Sequence, residues 1–285
     1  MSTKRPGSDR STFFAYHGEL LPWAVGIGLG IACLVWAIRG AGQHDVDSYW
    51  QAAIRLRQGS ALYADFGDPN ATLAYRYAPW FAWVWIPLTY LPQPLVYVLW
   101  RALLFAAVAY TALASRHPWR LALTAPFLAL SAWEGNVQAV MVGSLLYGVE
   151  RRSGPIWIGL AASLKAAPLA FALVYAGRRQ WLRFAVALAT TAILVAPAFA
   201  YDLSGYIRSG GPSLALLYQV GPWAWAAVSS IAVVIVLGRP TWLTGSVATI
   251  AALPRLLLYD FSFLLVDPRI RGAASAAGST TSSEP

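Results

Sequence analysis

The sequence predicts an all-α protein that crosses a lipid bilayer several times. Hydrophobic residues make up 58% of the 285 residues, charged residues make up only 12%, and the mean hydropathy is +0.53. So few charges cannot cover the surface of a water-soluble protein of this length, so lipid must be its main solvent. Apolar runs alternate with short polar segments, which is the pattern of a polytopic membrane protein.

Basic residues are distributed in small clusters between the apolar runs. The clusters are Lys4, Arg5 and Arg10; Arg116 and Arg120; Arg151 and Arg152; Arg178, Arg179 and Arg183; Arg239; and Arg269 and Arg271. Clusters of this kind mark the cytoplasmic loops of membrane proteins. The net charge of +9 is therefore explained by membrane topology, and we expect no nucleic-acid partner.

Ten apolar segments have the character of membrane helices. They lie near residues 20–38, 95–114, 119–133, 137–149, 155–166, 168–177, 182–201, 221–237, 241–253 and 255–267. With a cytoplasmic N-terminus, ten crossings place both termini and the basic clusters in the cytoplasm, as expected for a multi-pass protein of the inner (plasma) membrane. The first segment resembles a signal peptide, but no clear small-residue cleavage site follows it, which favours an uncleaved helix.

Two further segments are expected on the outer side. The loop 40–78 carries Val46, Tyr49 and Trp50 at helical spacing, which predicts an amphipathic helix lying on the membrane. Residues 79–91 are apolar but short and punctuated by prolines, which predicts a re-entrant or interfacial helix instead of a crossing.

The chain therefore divides into three predicted parts. Residues 1–19 form a cytoplasmic tail, residues 20–267 form a single transmembrane domain that includes the outer loop 40–78, and residues 268–285 form a disordered tail rich in Ala, Gly, Ser and Thr. The single cysteine, Cys33, lies within an apolar run, which excludes disulfides and cysteine metal sites.

Several predicted helices are too short to cross a membrane alone. A helix of about 13 residues reaches about 20 Å, whereas the hydrocarbon core is about 30 Å thick. Bare backbone cannot end in lipid, so the ends of these helices must open into a cavity or pack on protein. The turns near 134–136, 165–168 and 253–255 share the outer side, and we expect a polar chamber between them.

Two aspartates follow the first helix directly and are candidate catalytic groups. An ionisable side chain at membrane depth is costly unless it is paired or solvated. Asp45 or Asp47 at the mouth of a cavity suits a general base, and the alternative is that they cap the amphipathic helix. His44 with both aspartates would suit a divalent metal, but no further ligand is evident, so we expect no metal site.

A lysine and two amides come next among the candidate residues. Lys165 lies at a helix break between apolar residues and suits an anionic ligand such as phosphate. The alternative is that Lys165 pairs with Glu134. Asn136 and Gln138 suit hydrogen bonds to sugar hydroxyls, or they cap helix ends.

Two arginines, a tyrosine and an aspartate complete the candidate set. Arg76 and Arg255 are candidate phosphate ligands. Tyr77 suits the wall of a sugar or lipid subsite, although an ordinary interfacial aromatic belt is the alternative. Asp260 either contacts substrate or neutralises Arg255.

The order of these motifs resembles a known family. The matching segments are Asp45-x-x-x-Tyr49-Trp50-x-Ala52-Ala53, Gly59-x-x-Leu62-Tyr63, Tyr77-Ala78-Pro79, Gly135-Asn136-Val137-Gln138, Lys165-Ala166-Ala167-Pro168 and Pro254-x-x-x-x-Tyr259-Asp260. Together they resemble the bacterial polyprenyl-phosphate-mannose-dependent α-mannosyltransferases of glycosyltransferase family 87, which have the GT-C membrane fold. The resemblance extends over about residues 20–267.

The resemblance implies an inverting sugar transfer on the extracytoplasmic face, with Asp45 as the best match to the family's catalytic base. The implied partners are a polyprenyl-phosphate sugar donor, a glycolipid or glycan acceptor and membrane lipids. The donor carries its own leaving group, so no cofactor is expected. Two other classes stay open from the residues alone: a transporter or flippase for a lipid-linked or anionic solute, and a non-catalytic scaffold of envelope assembly.

Overall fold

The computed structural model describes residues 10–39, 45–67, 71, 73–115, 117–208 and 221–268. Within these ranges the chain is helical and contains no β-strand, as the sequence predicts. Three predicted features lie outside the described residues: His44, the first nine residues of the predicted N-terminal tail, and all but the first residue of the predicted C-terminal tail.

In the part of the chain that the structure describes, three helices are long and apolar enough to cross a membrane. Helix α1 spans Arg10–Arg39 and is apolar from Leu20 onward, α4 spans Gln93–Ala114, and α9 spans Trp181–Val195 and continues as a 3-10 helix to Ala200. Most side chains in these three segments face outward from the protein. Outward-facing apolar side chains are the surface expected of a protein solvated by lipid.

The remaining apolar helices are short. They are α5 Pro118–Trp133, α6 Gln138–Gly148, α7 Gly154–Leu164, a 3-10 helix Ala167–Phe171 that leads into α8 Ala172–Gly177, α10 Ser204–Arg208, α11 Pro222–Gly238 and α12 Trp242–Ala251. Helices α6, α7 and α12 have 11, 11 and 10 residues. At 1.5 Å per residue each is about 16 Å long, about half of a hydrocarbon core.

The amphipathic helix predicted in the first loop is present as α2, Asp45–Arg57. Its apolar face contacts protein, whereas the sequence predicted that this face lies on the membrane. The Tyr49 ring lies 5.1 Å from Tyr77 and 5.0 Å from Phe81, and Trp85 lies 5.1 Å from Trp100. Aromatic rings from α2, the following segment and α4 therefore form one cluster that buries this face.

The apolar segment 79–91 forms two short pieces. Helix α3 spans Pro79–Trp85, and a 3-10 helix spans Pro87–Tyr90. Pro87 has no backbone N–H to continue α3, so the hydrogen-bond ladder ends there. The two pieces together reach about 18 Å at 1.5 Å per residue, which is too short to cross a bilayer.

The last predicted membrane helix, residues 255–267, differs from the prediction. Residues 252–257 are irregular and a 3-10 helix spans Leu258–Leu265. Pro254 interrupts the backbone ladder, and the Asp260 carboxylate accepts a hydrogen bond from Leu257 N at 2.9 Å, which fixes the start of the 3-10 helix. The prediction of a regular crossing α-helix over residues 255–267 is therefore wrong.

The turns between the short helices fall on two opposite sides. Turns 134–137, 165–167 and 252–257 border one cavity, as the sequence predicted. The intervening turns 149–153, 178–180 and 239–241 meet on the other side, where Arg178 donates to Glu150 at 3.1 Å and to the Pro240 carbonyl at 3.0 Å. The short helices thus leave a hollow on one side and close the other.

Candidate active site

A cavity of about 650 Å³ lies between the turns that follow α5, α7 and α12. Its remaining walls come from the start of α2, the segment before α3 and the 3-10 extension of α9. Seven predicted site residues line it: Asp45, Arg76, Tyr77, Asn136, Lys165, Arg255 and Asp260. The other two predicted residues, Asp47 and Gln138, do not line the cavity.

Asp45 is the first residue of α2, and its carboxylate is held by an amide. Asn136 Nδ2 donates to Asp45 Oδ2 at 2.6 Å, while Asn136 Oδ1 accepts from Gln138 N at 2.9 Å. The second bond fixes the orientation of the amide, so its NH₂ group must face the carboxylate. Asp45 Oδ1 accepts no hydrogen bond from the described residues, so it is available to a hydroxyl group in the cavity.

Gly135 brings this amide to the start of α2. Its φ is +83°, and a Cβ there would lie 2.7 Å from Val46 Cβ. The Gly135 carbonyl accepts from Trp100 Nε1 at 2.8 Å. Glycine adopts this backbone conformation at little cost, and its lack of a side chain leaves room for Val46. Glycine at position 135 therefore allows Asn136 to lie close to Asp45.

Lys165 is positioned by a buried hydrogen-bond network. Its Nζ donates to Gln138 Oε1 at 3.0 Å and to Asp260 Oδ1 at 3.3 Å, and it lies 4.6 Å from the centre of the Tyr259 ring. The Asp260 side chain is 1% exposed and the Lys165 side chain is 19% exposed. Breaking a buried pair of this kind by removing one partner costs about 3–5 kcal/mol.

This network excludes both pairing alternatives raised by the sequence. Lys165 pairs with Asp260 and not with Glu134. Asp260 uses its second oxygen for Leu257 N and makes no ion pair with Arg255. Gln138 lies behind Lys165, where it is fully buried and its Nε2 donates to Ser262 Oγ at 3.3 Å.

Two arginines approach the cavity from separate segments. Burial lowers the pKa of Arg76, and the neighbouring positive charge of Arg255 lowers that pKa further. Within the described part of the chain Arg255 makes no ion pair, and its buried Nε has no hydrogen-bond partner. A buried guanidinium N–H without a partner is costly, and an anion in the cavity would remove that cost.

The site also contains two residues that the sequence analysis did not assign to it. Glu134 lines the cavity, and burial raises its pKa to about 7, with the charge of Asp45 adding to the increase. Tyr259 lies under Lys165, and its hydroxyl is 3.3 Å from Asn136 Nδ2. Both could have been found from the sequence, because each is next to a predicted site residue or its turn: Glu134 precedes Gly135-Asn136, and Tyr259 precedes Asp260.

Asp47 faces away from the cavity. Its carboxylate accepts a short hydrogen bond from the Tyr97 hydroxyl on α4. Tyr77, which does line the cavity, accepts from the Tyr49 hydroxyl at 3.1 Å. Among the described residues no group of three His, Cys, Asp or Glu side chains is placed to hold a metal ion.

We predict that Gly135→Ala destabilises the protein more than Gly59→Ala does. Both positions have a positive φ, which costs a non-glycine residue about 1–2 kcal/mol. Only Gly135 has a neighbour within 4 Å of the added Cβ, and such overpacking costs about 1–3 kcal/mol more. The measurement is the thermal unfolding midpoint of each purified variant in one detergent, and equal decreases would contradict the account.

A sequence model of glycosyltransferase family 87 matches residues 75–278, which is well over half of the chain. No curated protein and no solved structure matches the chain. The family predicted from the motifs is confirmed, although the motifs at residues 45–63 lie outside the matched range. The chain belongs to glycosyltransferase family 87.

Proposed function

We propose that this membrane glycosyltransferase is an inverting hexosyltransferase, with mannose as the expected sugar. It moves the sugar from a polyprenyl-phosphate donor to a hydroxyl group of a lipid or glycan acceptor on the extracytoplasmic face. The observation that carries the proposal is that the Asp45 carboxylate and three cationic side chains, Arg76, Lys165 and Arg255, line one cavity. A base and an anion site are the two parts that this transfer needs.

The cationic side chains suit the donor phosphate. Arg255 has a buried N–H without a partner, and Arg76 carries its charge close to Arg255. Lys165 is fixed by Asp260 and Gln138, so its charge is preorganised. Preorganised cations in a partly dehydrated site stabilise the negative charge that grows on the departing phosphate.

Asp45 suits the role of general base. In the proposed step the acceptor hydroxyl gives its proton to Asp45 Oδ1 and its oxygen attacks the anomeric carbon from the face opposite the phosphate. The bond between the anomeric carbon and the phosphate oxygen breaks, and polyprenyl phosphate leaves with the electron pair. Asn136 holds the other carboxylate oxygen at 2.6 Å and so orients the base.

The wall of the cavity near the end of α9 suits a lipid-linked donor. Val195, Ala198 and Phe199 line the cavity there, and Phe199 is 80% exposed. An apolar wall that reaches the outer surface of the protein allows a polyprenyl chain to remain in lipid while its phosphate enters the site. A nucleotide sugar would gain nothing from this wall.

The charge distribution supports the proposed orientation. The turns opposite the cavity carry the arginine clusters, and arginine-rich turns face the cytoplasm in membrane proteins. The cavity then faces outward, the multi-pass chain lies in the plasma membrane, and both termini are cytoplasmic. The ten crossings belong to this proposal, with residues 252–265 making the last crossing as an irregular segment and a 3-10 helix instead of a regular α-helix. The re-entrant role of 79–91 belongs to it as well.

Asp45→Asn is expected to lower sugar transfer at least 100-fold, because removing a general base costs about 10²–10⁴-fold. The amide retains an acceptor oxygen for Asn136, so the fold and donor binding should be preserved. Transfer is measured in proteoliposomes from radiolabelled polyprenyl-phospho-mannose to extracted envelope lipids.

The matched control is Asp47→Asn, two residues away on the same helix. It keeps an acceptor oxygen for Tyr97 and should stay within about threefold of the parent protein, well below the loss expected from removing a base. Near-normal transfer by Asp45→Asn would refute the base assignment. Flux of the labelled lipid without formation of a glycosidic bond would favour a transporter instead.

The Glu134 carboxyl should make the KM for the donor depend on pH. Its pKa is raised to about 7, so it is neutral below that pH and negative above it. A negative charge in the cavity opposes an anionic donor, so the KM for the donor should rise as the pH passes through about 7. Glu134→Gln should flatten that rise, and an unchanged KM profile in the variant would contradict the assignment.

A further inference from the structure

The side of the protein opposite the cavity carries a dense arginine cluster. Three turns meet there, and we call them the basic turns: residues 149–153, 178–180 and 239–241. With the first turn of α9 they contribute six arginines and one glutamate: Arg151, Arg152, Arg178, Arg179, Arg183, Arg239 and Glu150. The cluster is distinct from the proposed transfer site, and the inference below does not depend on the transfer reaction.

Most of this positive charge has no partner of opposite sign among the described residues. Glu150 is occupied, because it accepts from Arg178 at 3.1 Å and also accepts a short hydrogen bond from Trp242 Nε1. The other five arginines make no ion pair within the described residues. The cluster therefore retains a large uncompensated positive charge.

Two helix N-termini add to the positive potential. Helices α7 and α9 begin side by side, since a Cβ on Gly154 would lie 3.0 Å from Arg183 Nη2. Neither Ser153 nor Gln180 caps its helix with a side-chain hydrogen bond. In α7 the first N–H groups are used within the chain, because Gly154 N donates to the Arg151 carbonyl at 3.0 Å and Ile156 N donates to the Ser153 carbonyl at 3.0 Å. The first N–H groups of α9 make no hydrogen bond within the described residues, and the dipoles of both helices direct their positive ends to this side of the protein.

Arg183 shows that this surface is ordered. Its guanidinium donates to the Val149 carbonyl at 3.3 Å, to Gln180 Oε1 at 3.3 Å and, in a short contact, to the Arg151 carbonyl. Its buried Nε has no partner. The Arg183 side chain thereby connects the turns that carry Arg151 and Arg179, while its own Nε–H has no acceptor.

Apolar side chains border the same spot. Trp181 is 62% exposed, Leu182 is 79% exposed and Ile156 is 48% exposed, and all three lie in the first turns of α9 and α7. The Arg151 guanidinium lies 3.9 Å from the centre of the Tyr147 ring. A free phosphate ion would use the arginines alone, whereas a phospholipid would use the arginines and the apolar side chains together.

We propose that the surface formed by the turns 149–153 and 178–180 binds the headgroup of an anionic phospholipid. Arg151 and Arg152 contact the phosphate together with the open N–H groups of α9, and the acyl chains lie along Trp181, Leu182 and Ile156. Such binding holds the closed side of the helix bundle together. Charges that only set the topology would require no ordered contact of this kind.

The test uses the full-length protein purified in a neutral detergent and titrated with phosphatidylglycerol or phosphatidylcholine. Retained lipid is counted by native mass spectrometry. We expect the protein to retain phosphatidylglycerol in preference to phosphatidylcholine, and excess inorganic phosphate should not displace it. Equal retention of both lipids, or full displacement by phosphate, would overturn the proposal.

Matched variants separate a defined site from general charge attraction. Arg152→Gln and Arg239→Gln each remove one exposed arginine from the basic turns, but only Arg152 lies in the turn 149–153 of the proposed lipid site. Arg152→Gln should weaken retention at least fivefold, Arg239→Gln less than twofold, and Arg152→Lys should retain most of the binding. Similar losses in both glutamine variants, with both proteins eluting as the parent does in size-exclusion chromatography, would overturn the proposal.

Discussion

The buried contact of Lys165 with Asp260 and Gln138 is the interaction on which the cavity depends. It joins three segments that are far apart in sequence: the start of α6, the turn after α7 and the 3-10 helix Leu258–Leu265. A lysine at a helix break in apolar surroundings must be paired, and pairing here fixes the distance between the three helix ends. Asn136 lies two residues before Gln138 and extends the network to Asp45 and α2. The position of the candidate base is thus coupled to the anion site across the cavity.

The two sides of the helix bundle have opposite characters because the helices are short. On one side the chain turns around a polar hollow, and on the other side the turns pack directly on each other. Gly177 illustrates the second case, since a Cβ there would lie 2.8 Å from Pro240 Cβ. Arg178 is bonded to both Glu150 and the Pro240 carbonyl, so the described turns on this side are held together. A one-sided cavity suits an enzyme acting on a lipid-linked substrate better than it suits a transporter.

The sequence predicted the features that depend on local residue types. The lengths of the apolar runs predicted short helices, and the turns at Gly135 and Lys165 predicted where they end. The residues alone left both Asp45 and Asp47 as candidates, and the family resemblance favoured Asp45. Residues two apart on a helix point about 200° apart, and the direction of each depends on the packing of α2. The sequence also did not predict the partner of Asp260, because the 3-10 form of residues 258–265 rotates that side chain toward Lys165. Long-range packing decided both outcomes.

The most direct test is whether the walls of the cavity are open to the same side of the membrane. In a Cys33→Ser background, Ser48→Cys and Ala166→Cys place thiols in the cavity wall near Asp45 and Lys165, and Arg152→Cys places one in the basic turns. Labelling uses a membrane-impermeant thiol reagent on right-side-out vesicles. We expect Ser48→Cys and Ala166→Cys to be labelled in intact vesicles and Arg152→Cys only after permeabilisation. Labelling of Ser48→Cys and Ala166→Cys from opposite sides would contradict the account.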